Sequence, residues 1–331
     1  MIYKEEVQKL GFISQKIPKD IDIKNEIIKL KKEKNALILA HFYQEDAIQE
    51  IADFVGDSLK LAQIAENNNA DIIVLAGVHF MAETAKILSP EKKVLIPDLN
   101  AGCSLADSCP YNDFKAFVEQ NPDHTVVSYV NTTAAIKTLT DIVCTSSNAQ
   151  HIIESLPQDE KIIFAPDRNL GAYISKQTNR DMLIWDGACG VHEEFSLEKL
   201  LELKNNYPHA KVLAHPECTE PILLVSDFIG STAQMLQFSQ TDAAQTYIVV
   251  TESGILFKMR EANPHKLFIP APPNDSTCAC NDCEFMRLIT MEKLYNTLQY
   301  ELPEITLDTD IIKLAYKPIA RMLEISKNLG L

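Results

Sequence analysis

The chain lacks any stretch suited to a membrane: no run of 18 apolar residues occurs in its 331, and the most hydrophobic segment, 72–82, is short and interrupted by Gly77 and His79. Residues 1–10 carry Lys4, Glu5, Glu6 and Lys9 and have no apolar core, so nothing there reads as a signal peptide. These absences predict a cytoplasmic protein without a membrane partner. Basic charge is also scarce, with 31 Lys and Arg against 46 Asp and Glu for a net charge of −15. Such a surface repels phosphate, which argues against a nucleic-acid partner, while a few local donors in a cleft still suffice for a small anion. With 46% hydrophobic and 23% charged residues the chain has the balance of a folded globular protein, and its length suggests about two domains.

Eight cysteines are present, but Cys103, Cys189 and Cys283 stand 86 and 94 residues apart, separations that match no compact zinc-finger or ferredoxin pattern. A reducing compartment disfavours disulfides and leaves metal ligation, catalysis or burial.

Short β-branched runs at 36–40, 72–76, 94–97, 125–130, 161–165, 182–185, 211–214, 247–251 and 267–270 read as strands. Between them lie stretches such as 46–67, where Ile48, Ile51, Ala52, Val55, Leu59 and Ala62 recur at helical spacing. Strand, helix, strand in succession predicts parallel sheets covered by helices, a three-layer α/β/α architecture.

The pattern repeats. His41-Phe42-Tyr43, Tyr129-Val130-Asn131 and His215-Pro216-Glu217 follow the first, fourth and seventh of these strands, 88 and 86 residues apart. An aspartate lies 12 residues after the first position of each triplet, opening Asp53-Phe-Val-Gly56-Asp-Ser58, Asp141-Ile-Val-Cys144-Thr-Ser146 and Asp227-Phe-Ile-Gly230-Ser231-Thr232. Each unit then ends in a cysteine-bearing loop, with Cys103, Cys189 and the group Cys278, Cys280, Cys283. The expected organisation is an N-terminal extension (1–35), three α/β units (36–123, 124–209 and 210–300) and a C-terminal helical extension (301–331), with a helix near 310–328. Units of this size should pack together about a pseudo-threefold axis, their strand ends facing a central active site.

Three thiolates, from Cys103, Cys189 and one of the last three cysteines, suit zinc or an iron–sulfur cluster; Cys109, Cys144 and Cys218 read as equally well explained by burial. Ser58, Ser146 and Thr232 fall where loops turn into helices and, repeated in all three units, point to anion binding rather than ordinary capping. His41 and His215 are suited to donating to carboxylates or shuttling protons. Asp53, Asp141 and Asp227 read as loop braces.

Taken together, Ala40-His-Phe-Tyr-Gln44, Gly56-Asp-Ser58, Gly77-Val-His-Phe-Met81, Ser128-Tyr-Val-Asn131, Cys144-Thr-Ser146, Cys189 with His192, His215-Pro-Glu-Cys218 and Gly230-Ser-Thr232 resemble quinolinate synthases, the iron–sulfur enzymes of bacterial de novo NAD biosynthesis, over residues 36–286. The resemblance implies a triangular assembly of three α/β units and condensation of iminoaspartate with dihydroxyacetone phosphate to quinolinate, phosphate and two waters. It also implies one 4Fe-4S cluster with three cysteine ligands and one open iron, the ligands being Cys103, Cys189 and Cys283. Here Glu284 stands where the family usually has proline, and Cys278-x-Cys280 replaces a Cys-x-x-Cys of some members. Tyr43, Tyr129, His192, Glu194 and Glu217 become candidate acids and bases. His41, Ser58, Tyr129, Val130, Asn131, Ser146, His215, Pro216, Glu217, Ser231 and Thr232 become candidate substrate contacts. An L-aspartate oxidase or dehydrogenase is the implied source of iminoaspartate. The competing readings are another 4Fe-4S hydro-lyase and a non-enzymatic cysteine-metal redox sensor.

Overall fold

The computed structural model describes residues 2–274 and 282–331, so Cys278 and Cys280 lie outside the described residues. The chain divides into two compact units, Met1–Cys103 with Glu284–Tyr316 and Ser104–Cys283 with Lys317–Leu331.

The first unit contains one sheet of four parallel strands, β1 (Ala36–His41), β2 (Phe54–Gly56), β3 (Ile72–Ala76) and β4 (Lys93–Leu95), in the order β2-β1-β3-β4. The second unit contains two. One is built from β5 (Thr125–Tyr129), β6 (Ile142–Cys144), β7 (Ile162–Ala165) and β8 (Leu183–Ile184), in the order β6-β5-β7-β8. The other uses β9 (Lys211–Ala214), β10 (Phe228–Ile229), β11 (Thr246–Val250) and β12 (Leu267–Pro270), in the order β10-β9-β11-β12. Three sheets with the same strand order and flanking helices bear out the three repeated three-layer α/β/α units, and the helix expected near 310–328 is Thr309–Leu329.

The central strands are apolar on both faces because helices cover both. Ile38, Leu39, Ile73 and Val74 are buried in the first sheet, Val127, Ile163 and Phe164 in the second, and Val212, Leu213 and Ile248 in the third. Around the second sheet Phe114, Val126, Ile136 and Ile163 form one cluster, with Trp185 edge-on to Phe114 at 5.6 Å. Around the third, Phe195, Leu200 and Ile222 pack on Val212, Ile248 and Val250.

One expectation needs correction. Residues 46–67 are not one helical stretch but a helix, Asp46–Ile51, then β2, then a helix, Ser58–Glu66. The strands β2, β6 and β10, absent from the sequence reading, are edge strands of two or three residues, each paired with a single neighbour. That is too short for an alternating pattern to register, although Phe54-Val55, Ile142-Val143 and Phe228-Ile229 have the aromatic and β-branched character strands favour.

The aspartate opening each of these strands explains the repeat. The Oδ2 atoms of Asp53, Asp141 and Asp227 accept the backbone N–H groups of Ile38, Val126 and Val212, each at 2.8 Å. Their own N–H groups donate back to the carbonyls of the same three residues, each at 2.9 Å. Each aspartate thus clamps the edge strand to the first strand of its sheet, as a brace and not as a ligand. Asp141→Ala should lower unfolding free energy by about 1–2 kcal/mol through the lost acceptor for Val126, with the urea m-value unchanged, as measured by equilibrium denaturation.

Candidate active site

Parallel strands deliver their carboxyl ends to one edge of a sheet, and the loops leaving that edge carry side chains held by a rigid scaffold. In the second unit the end of β5 and the loops after β8, β9 and β11 supply Tyr129, His192, Glu217 with His215, and Thr251, and these residues meet. Glu217 is 3% exposed. The Tyr129 hydroxyl donates to Glu217 Oε1 at 2.5 Å, and His192 Nδ1 lies 3.1 Å from Oε2. The His192 approach is off the hydrogen-bond axis, so it acts chiefly as an ionic contact. His192 Nε2 is 2.9 Å from Thr251 Oγ1, and the His192 and His215 rings stack at 4.8 Å. His215 Nδ1 stands 3.4 Å from the Glu217 backbone N and 3.6 Å from Oε1, so it can accept from the one when neutral or face the other when protonated.

Burial acts to raise the Glu217 carboxyl, but positive charge on His215 and His192, with the close approach of His192 and the hydrogen bond of Tyr129, overcomes it and holds the group at about 2. Asp167, also fully buried, is driven the other way by burial and then by the charge of Glu217, and sits well above the usual carboxylate range. Two carboxyls in one buried region are thereby split into a carboxylate and a proton carrier.

The flanking groups are similarly fixed. Asn169 Nδ2 donates to the Glu217 carbonyl at 3.1 Å and to Glu193 Oε1 at 2.5 Å, while Arg168 pairs with Glu193 Oε2 at 2.8 Å. The loop Val130–Thr132 rests on Lys137, which is 0% exposed and donates from Nζ to the carbonyls of Val130 (2.9 Å) and Thr132 (2.5 Å). Asn131 Oδ1 on that loop is buried without a partner among the described residues, as an acceptor awaiting a ligand would be.

The hydroxyl residues do not cap. Asp57 and Ser231 cap the helices that begin at Ser58 and Thr232, Ser231 through a complete capping box with Gln234. Ser58 and Thr232 are therefore first-turn residues relieved of capping, and Ser146 lies three positions before the helix Ala149–Glu154. Ser231 also accepts from Ser147 at 2.7 Å, joining the second and third modules. A cleft of about 360 Å³ opens beside Ser146, Pro216 and Gly230 and is walled by Tyr173 and by stacked Phe228 and Phe238. In the first unit the Tyr43 N–H donates to His41 Nδ1 at 3.2 Å, the same contact from position i+2 that Glu217 makes to His215. Glu194 is not brought into the cluster: it is exposed and ends the helix Gly190–Glu193, its carbonyl accepting from Asn274 at 2.7 Å.

The cysteines separate into two kinds. Cys109, Cys144 and Cys218 are buried, and burial raises all three thiols, Cys109 to about 12, which makes them poor thiolate ligands. Cys103, Cys189 and Cys283 are partly exposed, and each directly precedes a one-turn helix, Ser104–Asp107, Gly190–Glu193 and Glu284–Arg287. The Gly190 N–H donates to Ser104 Oγ at 3.1 Å. Ligand atoms of Cys189, His192 and Glu217 all fall within 4.8 Å of one another.

The sequence reading missed Lys137, Asp167, Asn169, Glu193, Thr251 and Glu252. Thr251 and Glu252 were detectable, because they end and directly follow the strand read at 247–251, where an α/β sheet offers its side chains. Lys137 was not, since lysine in a short helical run ordinarily faces solvent.

The family model described as quinolinate synthetase A protein matches residues 25–324. The chain belongs to the quinolinate synthase family. It is 58% identical over 309 residues to the quinolinate synthase of Thermosynechococcus vestitus, covering 93% of this chain and 97% of that one. To the quinolinate synthase of Chloroherpeton thalassium it is 57% identical over 307 residues, 93% and 95% of the two chains. To that of Synechocystis it is 58% identical over 305 residues, 92% and 96%. The family is one of enzymes of NAD biosynthesis, and no helix among the described residues is long and apolar enough to cross a membrane.

The Glu217 environment sets a pH signature. Its carboxyl is held below its ordinary 4.5, at about 2, so the resulting stabilisation is full above pH 4.5 and is lost as pH falls through 2. The stability difference between the parent and Glu217→Gln should shrink over that interval in urea titrations between pH 2 and 6. Lys137→Met leaves the Val130 and Thr132 carbonyls buried and unsatisfied and should cost about 2–4 kcal/mol by the same measurement.

Proposed function

We propose that the chain condenses iminoaspartate with dihydroxyacetone phosphate, releasing quinolinate, phosphate and two waters, with Cys103, Cys189 and Cys283 as the ligands of a 4Fe-4S cluster. The donor set fits that group: three partly exposed thiols outside any disulfide, as against three buried ones raised in pKa. When bound, such a cluster leaves one iron without a protein ligand and supplies a Lewis acid for a substrate carboxylate, carbonyl or hydroxyl.

The observation that carries the reading is the buried Tyr129–Glu217–His192 cluster reaching within 4.8 Å of Cys189. Glu217, held as a carboxylate, removes a proton in the isomerisation and dehydration steps, and its partners His192, His215 and Tyr129 take up or return protons at their ring nitrogens and hydroxyl. Tyr43 serves as acid and base on the triose side, beside His41. Glu194 in its exposed position is assigned to the rim, outside proton transfer.

Asn131 Oδ1 accepts from a substrate donor. Ser58, Ser146 and Thr232, with the N–H groups of their helix starts, hold carboxylate and phosphate oxygens. Burial of Glu217, His192 and His215 excludes water from the reacting centre, which favours condensation over hydrolysis of the imine. Iminoaspartate hydrolyses readily, so a transient encounter with the aspartate-oxidising enzyme that makes it, in the cytoplasm, suits this chemistry.

Anaerobically prepared protein should absorb broadly near about 400 nm and form quinolinate only when both substrates are supplied. Cys103→Ser, Cys189→Ser and Cys283→Ser should each lose iron and sulfide while Cys109→Ser retains them. Glu217→Gln should retain the cluster and lose turnover by about a hundredfold or more. A colourless, zinc-loaded protein from iron-replete anaerobic cells would instead favour a single ion on Cys189, His192 and Glu217.

A further inference from the structure

The loop leaving β11 does more than contribute Thr251 to the site. Glu252 is completely buried, yet neither of its oxygens faces a substrate group named above. Oε1 accepts the backbone N–H of Cys283 at 3.3 Å, and Oε2 accepts that of Gly254 at 2.7 Å. Next to it, the Ser253 hydroxyl donates to Asp282 Oδ1 at 2.5 Å. The three consecutive residues Thr251, Glu252 and Ser253 therefore reach, in order, the imidazole three residues beyond Cys189, the main chain of Cys283 and the side chain preceding it.

We infer that Glu252 is a positioning residue for the Cys283 thiolate, fixing the main chain at Cys283 from the end of a central strand; the inference rests on Cys283 being a cluster ligand. A buried carboxylate is a costly way to hold one loop, and it persists where its oxygens are matched by donors that need a fixed location. The second module has a buried acid at the same position. Asp167 lies two residues past β7 as Glu252 lies two past β11, is equally buried and accepts the Leu170 N–H at 2.7 Å. Gly187, on the same loop as Cys189, is tied to this point by its N–H to the Pro166 carbonyl at 3.1 Å and by the Arg168 N–H to its own carbonyl at 2.8 Å. Two modules with unrelated local sequences thus place a buried acid at one topological position, beside the loop that carries the next cysteine.

The test uses Glu252→Gln, which keeps the volume but offers one carbonyl acceptor to two N–H donors, and Glu252→Asp, which keeps the charge. Full-length parent and variants are reconstituted anaerobically with iron and sulfide and then challenged with excess chelator. Glu252→Gln should keep the parental far-ultraviolet circular dichroism but lose iron about tenfold faster or more and shift the electron paramagnetic resonance spectrum of the reduced cluster, with Glu252→Asp recovering part of the difference. In cluster-free protein, alkylation of Cys283, read by peptide mass spectrometry, should speed several-fold in Glu252→Gln, while that of Cys189 stays at the parental rate. Parental iron loss, spectrum and Cys283 alkylation in a folded Glu252→Gln protein would overturn the inference. Failure of the parent itself to take up iron and sulfide would instead overturn the cluster reading, and the alkylation rates would still decide whether Glu252 holds Cys283.

Discussion

The second unit is organised around one charge that water cannot reach. A carboxylate as buried as Glu217 is stable only if donors and cations surround it, and these must come from elements far apart in the chain. Tyr129 comes from the end of β5, His192 from the loop after β8, His215 from the same loop as Glu217, and Thr251, from the end of β11, orients His192. Satisfying that single group requires the carboxyl ends of strands from two sheets to converge. The functional geometry and the packing of the second and third modules are consequences of the same electrostatic demand.

The repeated fold makes this convergence reproducible. In each sheet an aspartate joins a two- or three-residue edge strand to the first strand by a carboxylate and a main-chain bond. With the strand starts clamped, the triplets at the strand ends are delivered at fixed register. The i+2 contact to His41 Nδ1 and to His215 Nδ1 is one sign of this, since the same loop conformation recurs in two modules of different sequence. Divergence is confined to the side chains. Tyr129 stands where the other modules have histidine, and Asn131 where they have Tyr43 and Glu217.

Much of this was legible from residues alone. The offset of 12 located the aspartate clamps, and Ser58 and Thr232 fall at helix starts, because a parallel α/β repeat fixes the path length from strand end to the next element. The repeat likewise set apart Cys103, Cys189 and one of the last three cysteines, and the family motifs pointed to Cys283 and named the chemistry. What stayed hidden depends on tertiary partners. The edge strands were too short to show a period, and Lys137 looked like a surface lysine until the Val130–Thr132 carbonyls surrounded it. Glu252 and Asp167 carry no motif of their own; their role is defined by which backbone N–H groups they meet. Glu194 was selected for residue type and proximity to His192, but the helix Gly190–Glu193 ends there and turns its side chain outward.

The acidic surface places a further demand on the site. At a net charge of −15 the long-range field opposes the approach of dicarboxylates and phosphate esters, so recognition must come from short-range donors that act after encounter. On the proposed reading, dipolar groups meet that need without adding charge: hydroxyls and N–H groups at helix starts take the anions, and proton transfer is left to the histidines. The caps are arranged accordingly. Asp57 and Ser231 take over the capping bonds, which frees Ser58 and Thr232 and keeps the first-turn donors in order. The division of labour proposed between hydroxyl residues and the histidine and glutamate cluster therefore keeps further charge away from the buried carboxylate.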